Sequence, residues 1–327
     1  MGTTALRKVQ IGRESTWGTQ VAAAAILSGI TDFSFNPGVT VALKKFLDGS
    51  VDPAKKSSVT RKEPTAKVSG DVTPEDLIYL LDSSVKGSVT PTGAGPYVYV
   101  FPFPTTADPA IRSRSWEFYD GSQCWTLDGG IVNKITFQGA DGTDNVTFEA
   151  ELIGKQCAPD TITGALSARA FTLLPATSNA IYIDSAGATV GSTALTGTLI
   201  DWEWSFEMGH HLKFFMDGGL VATGKGIGSP RVMLKATFEY NASAHTQLTN
   251  YIAGTQQLFR IRATNPSSYM VDWDMGGVIT SIDDIYGDRD GNTTVAITAE
   301  AVTDAGAFAN YAKITVTNGV AAFVTNA

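Results

Sequence analysis

Eight residues of this chain are written nearly twice. Residues 43–50 read LKKFLDGS and residues 212–219 read LKFFMDGG. An internal repeat constrains a fold more than any local pattern, because two copies of one pattern are expected to build two copies of one unit. Extended backwards at the same offset of 169 residues, 29–50 lies on 198–219 with six identities in 22 positions. They are Asp32/Asp201, Leu43/Leu212, Lys44/Lys213, Phe46/Phe215, Asp48/Asp217 and Gly49/Gly218. Phe33 and Phe35 align with Trp202 and Trp204, and a spacing of two sets each pair on one face of a strand.

A second block, 129–152, lies on 276–299 at an offset of 147, again with six identities, now in 24 positions. Both copies alternate near its end: Phe148, Ala150 and Leu152 match Val295, Ile297 and Ala299. A helix signal sits between the blocks in each half. In the first half Thr73 is the expected N-cap, Pro74 takes the first helical position, and Glu75 and Asp76 suit the positive helix end. In the second, Ser243 is expected to cap AHTQLTNYI and Gly254 to end it. These features predict a first domain over 1–160 and a second over 161–327, with a linker about 157–170. The two offsets differ by 22 residues. The extra length of the first copy is expected partly in 50–64 and otherwise in 87–112. Residues 311–324 read as a strand, an Asn-Gly turn and a short strand.

Composition agrees with a β fold. Of 327 residues 43% are hydrophobic and only 17% charged, against roughly 25% in ordinary soluble domains. The 33 glycines and the visible weight of Thr and Val favour strands and tight turns. A net charge of −8 argues against nonspecific nucleic-acid binding, which needs clustered Lys and Arg. Cys124 and Cys157 are too few for a disulfide framework and are expected to be reduced thiols. The opening MGTTALRKVQIGRE has no apolar leader core, and VAAAAIL (21–27) is too short to span a bilayer. The sequons at Asn145, Asn241 and Asn292 therefore carry no expectation of glycosylation.

Nothing in the chain reads as catalytic. GKGIG (224–228) lacks the Lys-Ser/Thr of a phosphate loop. His210 and His211 are strand neighbours and would point to opposite faces. Glu149 and Glu151 share one strand face, which reads as a solvated face rather than as a glycosidase pair. Trp202-Glu203-Trp204 and the alternating Tyr97, Tyr99, Phe101 and Phe103 read first as core or subunit seam. Their alternative is a sugar platform, which would make the chain a carbohydrate-binding β-sandwich adhesin.

Residues 9–37, VQIGRESTWGTQVAAAAILSGITDFSFNP, resemble the start of the tail tube proteins of bacteriophages with long, non-contractile tails. KVSGDVTPEDLIYLL (67–81) and AIYIDSAGATVGSTALTG (180–197) are similar to later segments of that family. The resemblance implies a mainly β fold: two tandem tail-tube-type β-sandwich or barrel domains, each with one short flanking helix. It implies a structural virion protein, not an enzyme and without cofactors, that stacks in rings to form the conduit for genome delivery. Six such domains make a ring in this family, so a duplicated chain is expected to form a ring of three with pseudo-sixfold symmetry. The implied partners are further copies of itself, a tape-measure protein in the lumen, and terminator and distal tail or baseplate proteins at the ends. DNA would pass without specific binding. Assembly in the host cytoplasm, with no membrane insertion, is also implied.

Alternation nominates Lys134, Gln138, Glu149 and Glu151 as lumen-facing in the first copy, and Asp283, Thr294 and Thr298 in the second. Lys55, Lys56, Arg61, Lys62 and Lys225 lie in the two loops expected to reach a neighbouring ring, with the basic first loop expected to dock electrostatically.

Overall fold

The computed structural model describes residues 6–323, apart from Ser50, Asp52, Asp217, Gly218, Ser267 and Asp290. Asp217 and Gly218 of the second motif, and the final Val324 of the expected C-terminal strand, thus lie outside the described residues. The protein is mainly β.

The first half runs β1 (Lys8–Arg13), β2 (Ala25–Ile26), β3 (Ile30–Asn36), β4 (Val39–Lys44), β5 (Lys56–Lys62), β6 (Thr65–Asp71), α1 (Pro74–Asp82), β7 (Tyr97–Pro102), β8 (Arg114–Tyr119), β9 (Cys124–Ala140), β10 (Thr147–Ile153) and β11 (Gln156–Asp160). The second runs β12 (Asn179–Ser185), β13 (Ala194–Leu195), β14 (Leu199–Glu207), β15 (His210–Lys213), β16 (Gly224–Ile227), β17 (Arg231–Glu239), α2 (Ala242–Ile252), β18 (Gln256–Thr264), β19 (Met270–Arg289), β20 (Asn292–Ala301) and β21 (Ala312–Asn318).

The pairings of the first half recur in the second. β1 pairs β2 and β8, β8 pairs β9, β9 pairs β10 and β11, and β10–β6–β3 continue the sheet. In the same order, β12 pairs β13 and β18, β18 pairs β19, β19 pairs β20 and β21, and β20–β17–β14 continue. Hairpins β4–β5 and β15–β16 stand apart from these sheets. The irregularities match too. One unpaired residue bulges β3 between Ile30 and Asp32, and another bulges β14 between Leu199 and Asp201. Asn133 is skipped in the β9–β10 ladder as Thr280 is in the β19–β20 ladder. A bulge is a local one-residue insertion that bends its strand, and these two pairs of bulges fall at the two sequence offsets, 169 and 147.

β9 and β19 are long, 17 and 20 residues, because each changes partners along its length, β9 from β8 and β11 to β10 and β14, and β19 from β18 and β21 to β20. The changeover falls at Gly-Gly in both. Gly129 has φ +68°, and a Cβ on Gly130 would lie 2.4 Å from the Trp116 ring. On Gly277 it would lie 2.7 Å from the Glu300 carbonyl. The repeated GG is a place where chains approach too closely for a side chain.

Between the sheets lies one continuous apolar core. Trp202, Trp204, Trp273 and Phe137 are all buried and meet at ring separations of 5.1–6.2 Å. The tryptophans flanking Glu203 therefore fill the core, as do Tyr99, Phe101 and Phe103, and none offers the exposed ring that a sugar platform needs.

Several local expectations are corrected. α2 is capped by Asn241, whose Oδ1 accepts from the N–H groups of Ser243 and Ala244; Ser243 is already inside the helix. Thr73 takes the N-cap position of α1 without a side-chain cap bond. The expected linker from 157 opens with β11, and regular structure stops only after Asp160. The two hairpin loops are nearly equal in length, since Ser57 faces Leu43 and Lys225 faces Leu212. Almost all the extra length lies between α1 and β8, where β7 has no counterpart and pairs with β21 of the other half. No strand follows β21 among the described residues.

Candidate functional site: the polar sheet face and the two arms

Eight antiparallel strands form one sheet across both halves, in the order β3–β6–β10–β9–β14–β17–β20–β19. The seam between the halves is the ladder from Asp201↔Ala140 to Glu207↔Lys134. Alternation then sorts every side chain. One face carries Phe137, Phe148, Trp204 and Leu234 into the core. The other face is mostly polar, with Met233, Ala140 and Ala296 among its few apolar members.

On that polar face stand Asp32 (β3), Lys67 and Asp71 (β6), Glu149 and Glu151 (β10), and Lys134 and Gln138 (β9), all reaching solvent. The second half adds Asp201, Glu203 and Glu207 (β14), Arg231 and Lys235 (β17), Thr298 and Glu300 (β20), and Asp283 (β19). All seven nominated positions lie on this face, but Thr294 is buried at its margin. Carboxylates outnumber cations, and they are interleaved with them. Lys67 Nζ lies 3.1 Å from both Glu149 and Glu151, and its hydrogen bonds to Glu151, then Glu149, raise its pKa. Lys134 approaches Glu151 at 4.0 Å, not Glu149. Lys235 meets Glu203 at 3.2 Å, and Gln138 donates to the same carboxylate at 3.1 Å. Such half-exposed pairs are worth about 0–1 kcal/mol each, so they order the face more than they stabilise the fold. Shallow grooves cross it; one of about 510 Å³ is lined by Thr31, Ser69, Lys134, Gln138, Glu149 and Glu203.

Lys67, Glu203 and Lys235 were not singled out from the sequence. Lys67 needed the pairing of β6 with β10. Glu203 was hidden between two tryptophans, although alternation alone would have pointed it to solvent.

The hairpins form two arms. On the β4–β5 arm, Lys55 pairs with Asp48 at 2.5 Å, and Arg61 pairs with Glu63 at 3.1 Å and lies over the Phe214 ring at 3.8 Å. Lys62 donates its N–H to the Leu220 carbonyl of the second arm, at 2.8 Å. Lys56 is exposed. The second arm lies closer to the body: Leu212 and Ala222 are buried, and burial lowers the pKa of the half-buried Lys225. The basic loop is thus partly neutralised by its own carboxylates. Beside its exposed lysines it shows Leu43, Phe46, Leu47 and Val51 to solvent.

Among the described residues no three His, Cys, Asp or Glu side chains converge as a metal site, and no helix is long and apolar enough to cross a membrane. His210 is buried and its Nε2 lies 3.0 Å from the Ser84 carbonyl, while His211 is exposed. Burial lowers the His210 pKa and raises that of Cys124 to about 12.

No family model matches this chain, and no curated protein matches it. Among solved structures it is similar to the SPP1 tail tube, determined by solid-state NMR and cryo EM. The TM-score is 0.32 and the identity 15%, over 44% of this chain and 79% of that one.

Proposed function

We propose that this chain is an internally duplicated structural virion protein whose copies close into rings, three to a ring, that stack as the tube of a phage tail. The observation that carries the reading is the eight-stranded sheet, apolar on one face, polar on the other, and running unbroken through both halves. The recurrent pairings and bulges support two equivalent domains, approximately 1–160 and 161–327. Three copies supply six such domains.

Three chains, rather than six, keep the channel narrow. Twenty-four strands at about 4.8 Å give a circumference of about 115 Å, hence a backbone diameter of about 37 Å, or about 48 Å with a tilt of about 40°. Six chains would double that. The polar face lines the lumen, and its excess of carboxylates keeps phosphate from sticking while the genome slides through. The tip of the first arm reaches the adjacent ring mainly through the apolar side chains of Phe46, Leu47 and Val51. A tape-measure protein would occupy the lumen during assembly in the host cytoplasm, with terminator and distal tail or baseplate proteins at the ends.

Native mass spectrometry with negative-stain microscopy tests this. Rings with an axial hole and a mass of three 34.6 kDa chains are expected. Discrete glycan-binding monomers that never form rings would defeat it.

A further inference from the structure

The two ends of the eight-stranded sheet are open. Among the described residues β3 pairs only with β6, and the stretch of β19 from Ser281 to Arg289 pairs only with β20. Among the described residues, no other backbone hydrogen bond reaches either outer edge. An open edge is a template for another strand. The counterparts of these two edges already meet inside the chain, where β14 (equivalent to β3) lies on β9 (equivalent to β19).

We infer that each copy docks on the next by repeating this internal seam, β3 and its arm seating on β19 and α2 of the neighbouring copy. The inference rests on the ring reading above and adds its contact residue by residue. Ser205↔Thr136 and Phe206↔Ile135 of the internal seam become Asn36 opposite Asp283, and Pro37 opposite Ile282, of the next copy. Beyond the second irregularity of β19, Gly287 faces Thr294 as Gln138 faces Thr147. Asp201↔Ala140 accordingly becomes Asp32 opposite Arg289, a pair of opposite charge that forms by exchange of partners, since within the chain Arg7 holds Asp32 at 3.2 Å and Arg289 holds Asp201 at 2.9 Å.

Burial gives an independent argument. On the first arm Val39, Val41 and Leu43 are 48%, 52% and 68% exposed. Their equivalents Met208, His210 and Leu212 are 0%, 7% and 7% exposed, because the second arm rests on the first half. There the Met208 N–H donates to the carbonyl of the bulge residue Asn133, and His210 touches the Ser84 carbonyl just past α1. In the second half the equivalent of Ser84 is Ile252, at the end of α2 and 77% exposed. Val41 of one copy thus meets Ile252 of the next, an exposed apolar side chain on each. The occupant is a second copy of this chain, since only it carries both β3 and the arm in this register. The contact is heterologous and closes as a ring.

Thiol cross-linking tests the register. In a background with Cys124→Ser and Cys157→Ser, two double variants, Asn36→Cys with Asp283→Cys and Val41→Cys with Ile252→Cys, are treated with dibromobimane. Denaturing gels should show covalent dimers and trimers. Asn36→Cys with Ile282→Cys, whose side chains point to opposite faces, should give at least tenfold less. Each sample is also imaged and weighed before cross-linking. Rings without cross-links at either designed pair, or with equal yield from the control pair, overturn this seam and leave the ring reading intact. Monomers that form no rings in the parent protein overturn both. If a cysteine variant alone fails to assemble, Val41→Asp and Ile252→Lys decide: each alone should abolish rings and the two together should restore them, and no restoration refutes the register.

Discussion

Replacing Glu149 and Glu151 together by lysine turns the proposed lumen from repulsive to adhesive. Both glutamates hold Lys67 at 3.1 Å and are well exposed, so losing the two pairs costs about 0–2 kcal/mol in total. The new lysines stand near Lys67 and Lys134, and each close like-charge contact adds about 1 kcal/mol in water. The fold should therefore survive. In a ring of three the change places six new cations around one level of the channel. If each meets a phosphate, the salt slope of DNA retention becomes about −5, and a rise from 50 to 200 mM weakens retention about a thousandfold. The assay is DNA retention by purified tubes across salt, read by fluorescence, with parent tubes as reference. Parent tubes should retain none. Variant tubes should hold DNA at low salt and release it at high salt, and a phage carrying the variant should eject its genome slowly. Intact variant tubes that hold no DNA, or hold it without salt dependence, refute the assignment of this face to the lumen.

Further outcomes follow from the fold. Gly130→Val drives a side chain into the Trp116 ring, 2.4 Å from the ideal Cβ position, and should cost about 1–3 kcal/mol or more in chemical denaturation. Trp204→Ala opens the core at the internal seam and should cost about 3–5 kcal/mol by the same measurement. Asn241→Ala removes the cap of α2 and should cost about 0.5–2 kcal/mol. His210 is held neutral by burial, so the unfolded chain binds the proton first; stability is lost as pH falls below about 6.5 toward the lower folded pKa. Melting curves of the protein and of His210→Gln should converge over that window, and a constant difference would show that His210 does not titrate in it.

The fold was legible where side chains alternate or repeat. Phe33/Trp202 and Phe35/Trp204 lie on strands that carry matching bulges, at Thr31 and Ile200. The polar face was legible at Glu149, Glu151, Lys134 and Gln138 because period two separates core from solvent. What lay hidden was strand order. Local pattern cannot say that β6 borders β10, so Lys67 went unnoticed. The arms were misread for a different reason. Four basic residues suggested a charged loop, but Asp48 and Glu63 fold back on Lys55 and Arg61, and apolar residues point outward beside the remaining lysines. Two capping residues so close together, Asn241 and Ser243, could not be ranked without the backbone, which is extended at Asn241.

The strand without a counterpart, β7, sets a schedule for synthesis. Its partner β21 begins about 210 residues further along the chain. At about 5–20 residues per second, the first half waits about 10–40 s after β7 emerges before the ladder from Pro102 to Tyr97 can form. During that time β7 offers an unpaired edge carrying Tyr99 and Phe101, side chains that end in the core. A nascent chain is thus a poor building block, and only a chain finished through Asn318 has its internal edge covered. A chain ending at Asn310 should aggregate where the full chain stays in solution, and its remaining monomeric would argue that β7 is held by other contacts until β21 arrives.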